Sequence, residues 1–358
     1  MSLRILAIGG VVVTTLVGCA AAQPRSDTAP PPVRTAISAS GVTGLHNGRP
    51  VVYALTGNRW TLVPLPHLPA AGASVAGHGA SIYAAQVGAG GVTLDSTHDG
   101  GRSWQQRWVA TNSDVAGVQL ALSADGSKLA MMLDRSSSTG AVGQANILVG
   151  QASGGALAAH PAPAAGQIAW WHGRLAVSGG ALSSRLYLGD ATATAWQPVP
   201  ISGQVAPLRN IDPATPSVGA PATLPDGALL VPVTNHAGTP SVDLFTTTNG
   251  GAFSSLGQIP LSGELGAGTS APVSVVPGAD TVVSDPNTLR FTVVSSSGKH
   301  SFTPKGLPAP PSMLSFATAQ LGLAQVDTAA CAQGKAGCAV GTDVYATSDG
   351  GATWQPAP

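Results

Sequence analysis

Three observations predict an all-β chain folded as a seven-bladed β-propeller of four-stranded antiparallel blades. A turn sequence occurs twice, a glycine-bearing hairpin recurs about every 49 residues, and the composition suits short strands. The turn reads Thr97-His98-Asp99-Gly100-Gly101-Arg102-Ser103-Trp104 in one place and Thr347-Ser348-Asp349-Gly350-Gly351-Ala352-Thr353-Trp354 in the other. The Asp carboxylate can accept hydrogen bonds from the backbone N–H groups that follow it, and the glycines take positive φ. The Ser or Thr hydroxyl ties the far side, and the Trp opens the next strand with a broad face to bury. Thr97, Asp99, Gly101, Ser103 and Trp104, with Thr347, Asp349, Gly351, Thr353 and Trp354, are therefore read as structural clasps between sheets.

The 358 residues include 46 Gly and 29 Pro, only 9% are charged, and the formal net charge is zero. Scattered single Arg and Lys residues make no basic stripe, which argues against a nucleic-acid partner. Glu264 is the single glutamate, a scarcity that bears on enzymes.

Residues 1–18 read as an export signal: Arg4 is the positive start, Ile5 to Val17 the apolar core, and Leu16-Val17-Gly18-Cys19 the processing site. The apolar core is too short to span a bilayer. Leu16 to Cys19 resembles the lipobox of bacterial lipoproteins, which implies cleavage before Cys19 and a diacylglycerol on its sulfur. Acyl chains contribute about 0.8 kcal/mol per buried methylene, enough to hold the protein at the outer face of the cell membrane or envelope. Residues 19–34, with Pro30-Pro31-Pro32 and no apolar periodicity, read as a tether reaching roughly 40 Å. The propeller is assigned to 35–358, as a monomer.

Within it, hairpin turns are expected at Asn47-Gly48, His78-Gly79, Asp125-Gly126, His172-Gly173, Asp226-Gly227, Gly278-Ala279 and Gln320-Leu321-Gly322. From Gly79 to Gly322 the steps are 47, 47, 54, 51 and 44 residues, right for four strands and their turns. Aromatics follow later turns at Trp104, Trp196, Phe253, Phe302 and Trp354. The first unit, ending near Trp60, is short: it carries three strands or borrows one. Cys331 and Cys338, six residues apart in an oxidising compartment, are expected to form a disulfide contributing about 2–3 kcal/mol on the chain-entropy model.

Thr97 to Trp104 and Thr347 to Trp354 resemble the Asp-box, or bacterial neuraminidase repeat, of sialidase-like propellers. The resemblance implies boxes at the outer edge of blades, between third and fourth strands. It implies no activity, since a photosystem assembly propeller of plants and cyanobacteria carries similar repeats. Sialidases use three Arg, a Tyr activated by a Glu, and an Asp. Here Tyr53, Tyr83, Tyr187 and Tyr345 lie in apolar strand runs, and one Glu cannot fill both acidic roles of other glycosidases.

Two classes of function follow. The leading one is a non-catalytic binding or assembly scaffold for a protein or glycan, with no cofactor and no metal. The alternative is a glycan hydrolase with an atypical site built on Glu264 and Asp212, Asp243 or Asp285. Trp170, Trp171, His172 and Arg174 form the richest aromatic cluster. Adjacent strand residues point oppositely, so one indole could face a ligand and the other the core.

Overall fold

The computed structural model describes residues 38–46, 49–67, 72–88, 90–111, 115–135, 145–179, 185–201, 216–265, 270–278, 280–331 and 338–358; side chains are described for most of these. Cys19, the tether, Asp212 and the turn at Asn47-Gly48 lie outside them.

Seven antiparallel sheets follow one another along the chain: 38–64, 72–110, 115–161, 166–199, 217–260, 273–302 and 313–356. Each is a simple up-and-down meander, because tight glycine turns join consecutive strands. The expected inner hairpin turns at His78-Gly79, Asp125-Gly126, His172-Gly173 and Asp226-Gly227 all join first to second strands, and each of these glycines has positive φ. In blade 5 the first strand is broken into Ser217–Val218 and Ala222–Thr223, which both pair with Leu229–Asn235. No helix forms among the described residues.

First strands lie against first strands around a centre: Ser38–His46 beside Gly72–His78, then Val115–Leu122, then Gly166–Trp171. Seven apolar clusters fill the seven joints between neighbouring blades. The last joins Val42, Val51 and Tyr53 of blade 1 to Leu323 and Val344 of blade 7, so the ring closes through side chains. Every described strand of blade 7 comes from 313–356, and none is lent by the N-terminal side. The molecule is a seven-bladed β-propeller.

Blade 1 resolves the alternative left by the sequence. It has three strands among the described residues, Ser38–His46, Arg49–Thr56 and Arg59–Pro64. Trp60 follows the second turn of its blade, not the third, so it is no counterpart of Trp104 or Trp354. In blade 7 the third hairpin is long, pairing Gly322–Cys331 with Cys338–Thr347, and its register sets Cys331 opposite Cys338. The side chains of both cysteines lie outside the described residues.

Candidate functional site

The two repeated turns sit between the third and fourth strands of blades 2 and 7. Thr97 Oγ1 donates to Asp99 Oδ1 at 2.7 Å and accepts from Gly101 N at 2.9 Å. Asp99 Oδ1 also accepts from the N–H groups of Arg102 (2.9 Å) and Ser103 (3.0 Å), and Oδ2 from the Ser103 hydroxyl (2.6 Å). Thr347, Asp349, Gly351 and Thr353 repeat the network, with Thr353 Oγ1 2.6 Å from Asp349 Oδ2. The Ser103 hydroxyl and N–H, with Thr97, hold the Asp99 carboxyl well below the usual carboxylate range. At Asp349, burial opposes ionisation but the bonds from Thr353 and Thr347 outweigh it, so the pKa is lowered. These carboxylates are spent on their own backbone.

A third clasp escaped the sequence reading. Asp190 Oδ1 accepts from Thr194 N (2.9 Å) and Oδ2 from Thr194 Oγ1 (2.7 Å), which lowers its pKa to about 2. The Gly pair is absent. Ala193 takes φ 58° instead, and Trp196 arrives one residue late, its indole N–H bonded to the Ala193 carbonyl as Trp354 is to Gly351. Blade 5 has a weaker version on Asn249.

The aromatic cluster does not divide into one buried and one exposed ring. Trp170 is 6% exposed and Trp171 3%. They point oppositely, as strand neighbours must, but each seals a different joint. Trp170 packs between blades 3 and 4 and donates to the Ala121 carbonyl; Trp171 packs between blades 4 and 5 and donates to the Gly227 carbonyl. His172 is exposed, edge-on to Trp171 and close over Gly227, where a Cβ would come within 3.2 Å of its ring. Arg174 begins the next strand, half-buried.

Glu264 is exposed, and its carbonyl accepts from Asn287 Nδ2. Asp285, 2% exposed, binds the N–H groups of Ser262 and Asn287 and faces Arg290 at 3.5 Å, so it pins that loop. Asp243 accepts from Asn235 Nδ2. His78 leans over Gly126, His172 over Gly227, and His236 bonds Ser217 on another turn. Among the described residues no three His, Cys, Asp or Glu are grouped to hold a metal.

The unusual chemistry lies elsewhere, at the joint of blades 1 and 2. In every other joint the third strand of the following blade adds an apolar or aromatic side chain to the shared cluster: Leu62, Leu148, Tyr187, Phe245, Val294 and Tyr345. Blade 2 offers Asp95, paired in register with the cluster residue Ala84 and 2% exposed. Burial pushes its carboxyl pKa up, opposed by His67 and Thr93. Its Oδ2 has no hydrogen-bond donor, for His67 Nε2 stands off at 3.5 Å. Gln86, 1% exposed on the adjacent strand, donates to the His67 carbonyl but leaves Oε1 unpartnered. A cleft of about 280 Å³ opens beside them, lined by His67, Gln86, Thr93 and the exposed Val109.

No protein-family model matches the chain, and no curated protein does. Solved structures do. Virginiamycin B lyase from Staphylococcus aureus is similar at 12% identity over 80% of this chain and 91% of that one, with a TM-score of 0.52. YCF48 from Cyanidioschyzon merolae is similar at 15% identity over 77% and 81%, TM-score 0.44. A structure of YCF48 bound to D1 peptide shares 14% over 77% of each chain, TM-score 0.44. A lyase and a peptide-bound protein thus both stand among the similar propellers, and the fold by itself selects neither. What the likeness to the lyase shows is the architecture already described, a β-propeller.

Proposed function

We propose that this chain is a non-catalytic binding or assembly scaffold, anchored by lipid on Cys19 to the outer face of the cell membrane or envelope. The observation that carries the scaffold reading is the joint of blades 1 and 2, where two buried acceptors face a cleft without donors. Such atoms cost about 1–3 kcal/mol each when unsatisfied, and a bound partner supplies what the fold leaves out. The clasp aspartates support it from the other side, since their oxygens are occupied by turn backbone and hydroxyls. The anchor rests on the sequence of residues 4–19 alone. The register of Cys331 opposite Cys338 supports a disulfide in the last hairpin.

The scaffold reading is tested by capture from detergent-solubilised envelope, wild type against Asp95→Asn. A partner retained by the wild type and lost by the variant is expected. Turnover of a panel of fluorogenic glycosides, abolished in Glu264→Gln, would overturn the reading in favour of a hydrolase. Cys19→Ser should release the protein from the membrane fraction, and a variant that stays there refutes the anchor. Thiol titration of the native, unreduced protein should find neither Cys331 nor Cys338 free.

A further inference from the structure

Blade 1 stops one strand short, and the shortage has a direction. In the other six joints a fourth strand or its exit lays a side chain on the next blade: Trp108, Ala162, Val199, Ile259, Phe302 and Ala357. Between blades 1 and 2 that place is taken by Val63 of the third strand and Leu65 just after it. Arg59–Pro64 pairs only with Arg49–Thr56 among the described residues, which leaves the outward row of its main-chain groups without a ladder partner. Its burial is that of an outermost strand: one residue of six is buried, against six of seven in Gly91–Thr97 of blade 2. None of the usual protections of an edge is present in its middle, where Trp60-Thr61-Leu62-Val63 carries neither charge nor proline.

The floor beneath the missing strand is the polar surface of blade 2. Asp95 Oδ2 and Gln86 Oε1 are both acceptors, both on residues at most 2% exposed, and neither has a hydrogen-bond donor. Val109, 48% exposed, stands at the rim of the same cleft. A free strand edge above unpaired acceptors fits one kind of occupant. We propose that a partner polypeptide adds an extended strand to the Arg59–Pro64 edge, completing blade 1 and directing a basic side chain toward Asp95 and Gln86. The main-chain ladder supplies binding and the cation supplies selectivity. This rests on the scaffold reading and gives it a site and a partner chemistry.

Two other occupants fit less well. The chain's own N-terminal stretch carries Pro24 and Pro30-Pro31-Pro32, which cannot donate to a ladder. A second copy's edge would bring only Trp, Thr, Leu and Val at its centre, with no cation for Asp95.

The test uses three eight-residue peptides with the full propeller. One alternates Val and Thr around a central Lys, one has Glu in place of that Lys, and one is the Lys peptide N-methylated at alternate residues, in both registers. The Lys peptide should bind and slow amide exchange at alternate residues of 59–63 at least tenfold. The Glu peptide should bind at least tenfold more weakly, one N-methylated register should not bind, and Asp95→Asn should erase most of the Lys preference. Binding without slowed exchange in 59–63, or no binding of any peptide, overturns the proposal. Slowed exchange that grows with protein concentration and needs no peptide also overturns it, and assigns the edge to a second copy. Envelope capture keeps the two readings apart. A partner retained equally by wild type and Asp95→Asn, and not displaced by the Lys peptide, leaves the scaffold standing and removes this site.

Discussion

The clasps of blades 2 and 7 have nearly the same eight residues and nearly the same hydrogen bonds, yet they press on different neighbours. Trp354 is 3% exposed between Phe291 and Phe316, with ring centroids 6.1 Å away on either side, and its indole N–H reaches the Gly351 carbonyl at 2.8 Å. The exit of blade 6's fourth strand bonds to the clasp, Lys305 N to Ala352 O and Trp354 N to Lys305 O. Trp104 meets a blade with no fourth strand. It is half-buried against Val63 and Leu65, and its indole N–H has no partner. The difference lies in what each clasp closes upon, since the local turns are alike. A repeated motif fixes a joint only as firmly as the neighbouring blade completes it.

The largest expected effect breaks the comparison at its firm end. Trp354→Ala removes a fully buried indole and its hydrogen bond, and should cost about 3–5 kcal/mol in denaturant unfolding. Trp104→Ala should cost roughly 2 kcal/mol less, because less area leaves water on folding. Equal losses would show that the two joints are equivalent.

Next comes the charged floor. Asp95→Leu puts at the exceptional position the kind of residue that blade 3 carries there, Leu148, and should stabilise the propeller by about 1–3 kcal/mol. The reverse change, Tyr345→Asp, should destabilise blade 7 by a similar amount. A less stable Asp95→Leu protein would mean that the His67 contact already satisfies the carboxylate.

Smaller effects follow pH. Asp99, Asp190 and Asp349 have lowered pKa values, so their contribution is complete above the ordinary carboxylate pKa of about 4 and is lost as pH falls through the folded value, about 2 for Asp190. Acid unfolding of Asp190→Ala should be flatter than wild type between those limits. Asp95 has the opposite sign: its pKa is raised, so stability falls as pH rises from about 4 to the folded value. Asp95→Asn should remove that decline, as read from urea midpoints at successive pH values.

Much of this was legible in the residues. Gly79, Gly126, Gly173 and Gly227 marked the inner hairpins because each turn needs positive φ. The period then followed, and with it the wheel. The Asp190 clasp was hidden because Ala193 carries a φ that glycine normally signals, and Trp196 is displaced by one residue. Trp170 and Trp171 read as half a binding site because strand alternation separates two faces without saying that both are covered, and in a propeller both are. Asp95 was passed over as one more polar residue in an alternating strand. Its signal lay in the repeat itself: two residues before the clasp threonine, blades 5 and 7 have Phe245 and Tyr345.

The measurement that bears most directly on the incomplete first blade is amide hydrogen exchange in the free protein, comparing Arg59–Pro64 with the third strand of blade 5, Ser241–Thr247. Exchange at alternate residues of 59–63 should be as fast as in outermost strands such as Ser254–Pro260, while 241–247 stays protected. Equal protection of the two third strands would contradict the open edge, and with it the site built upon it.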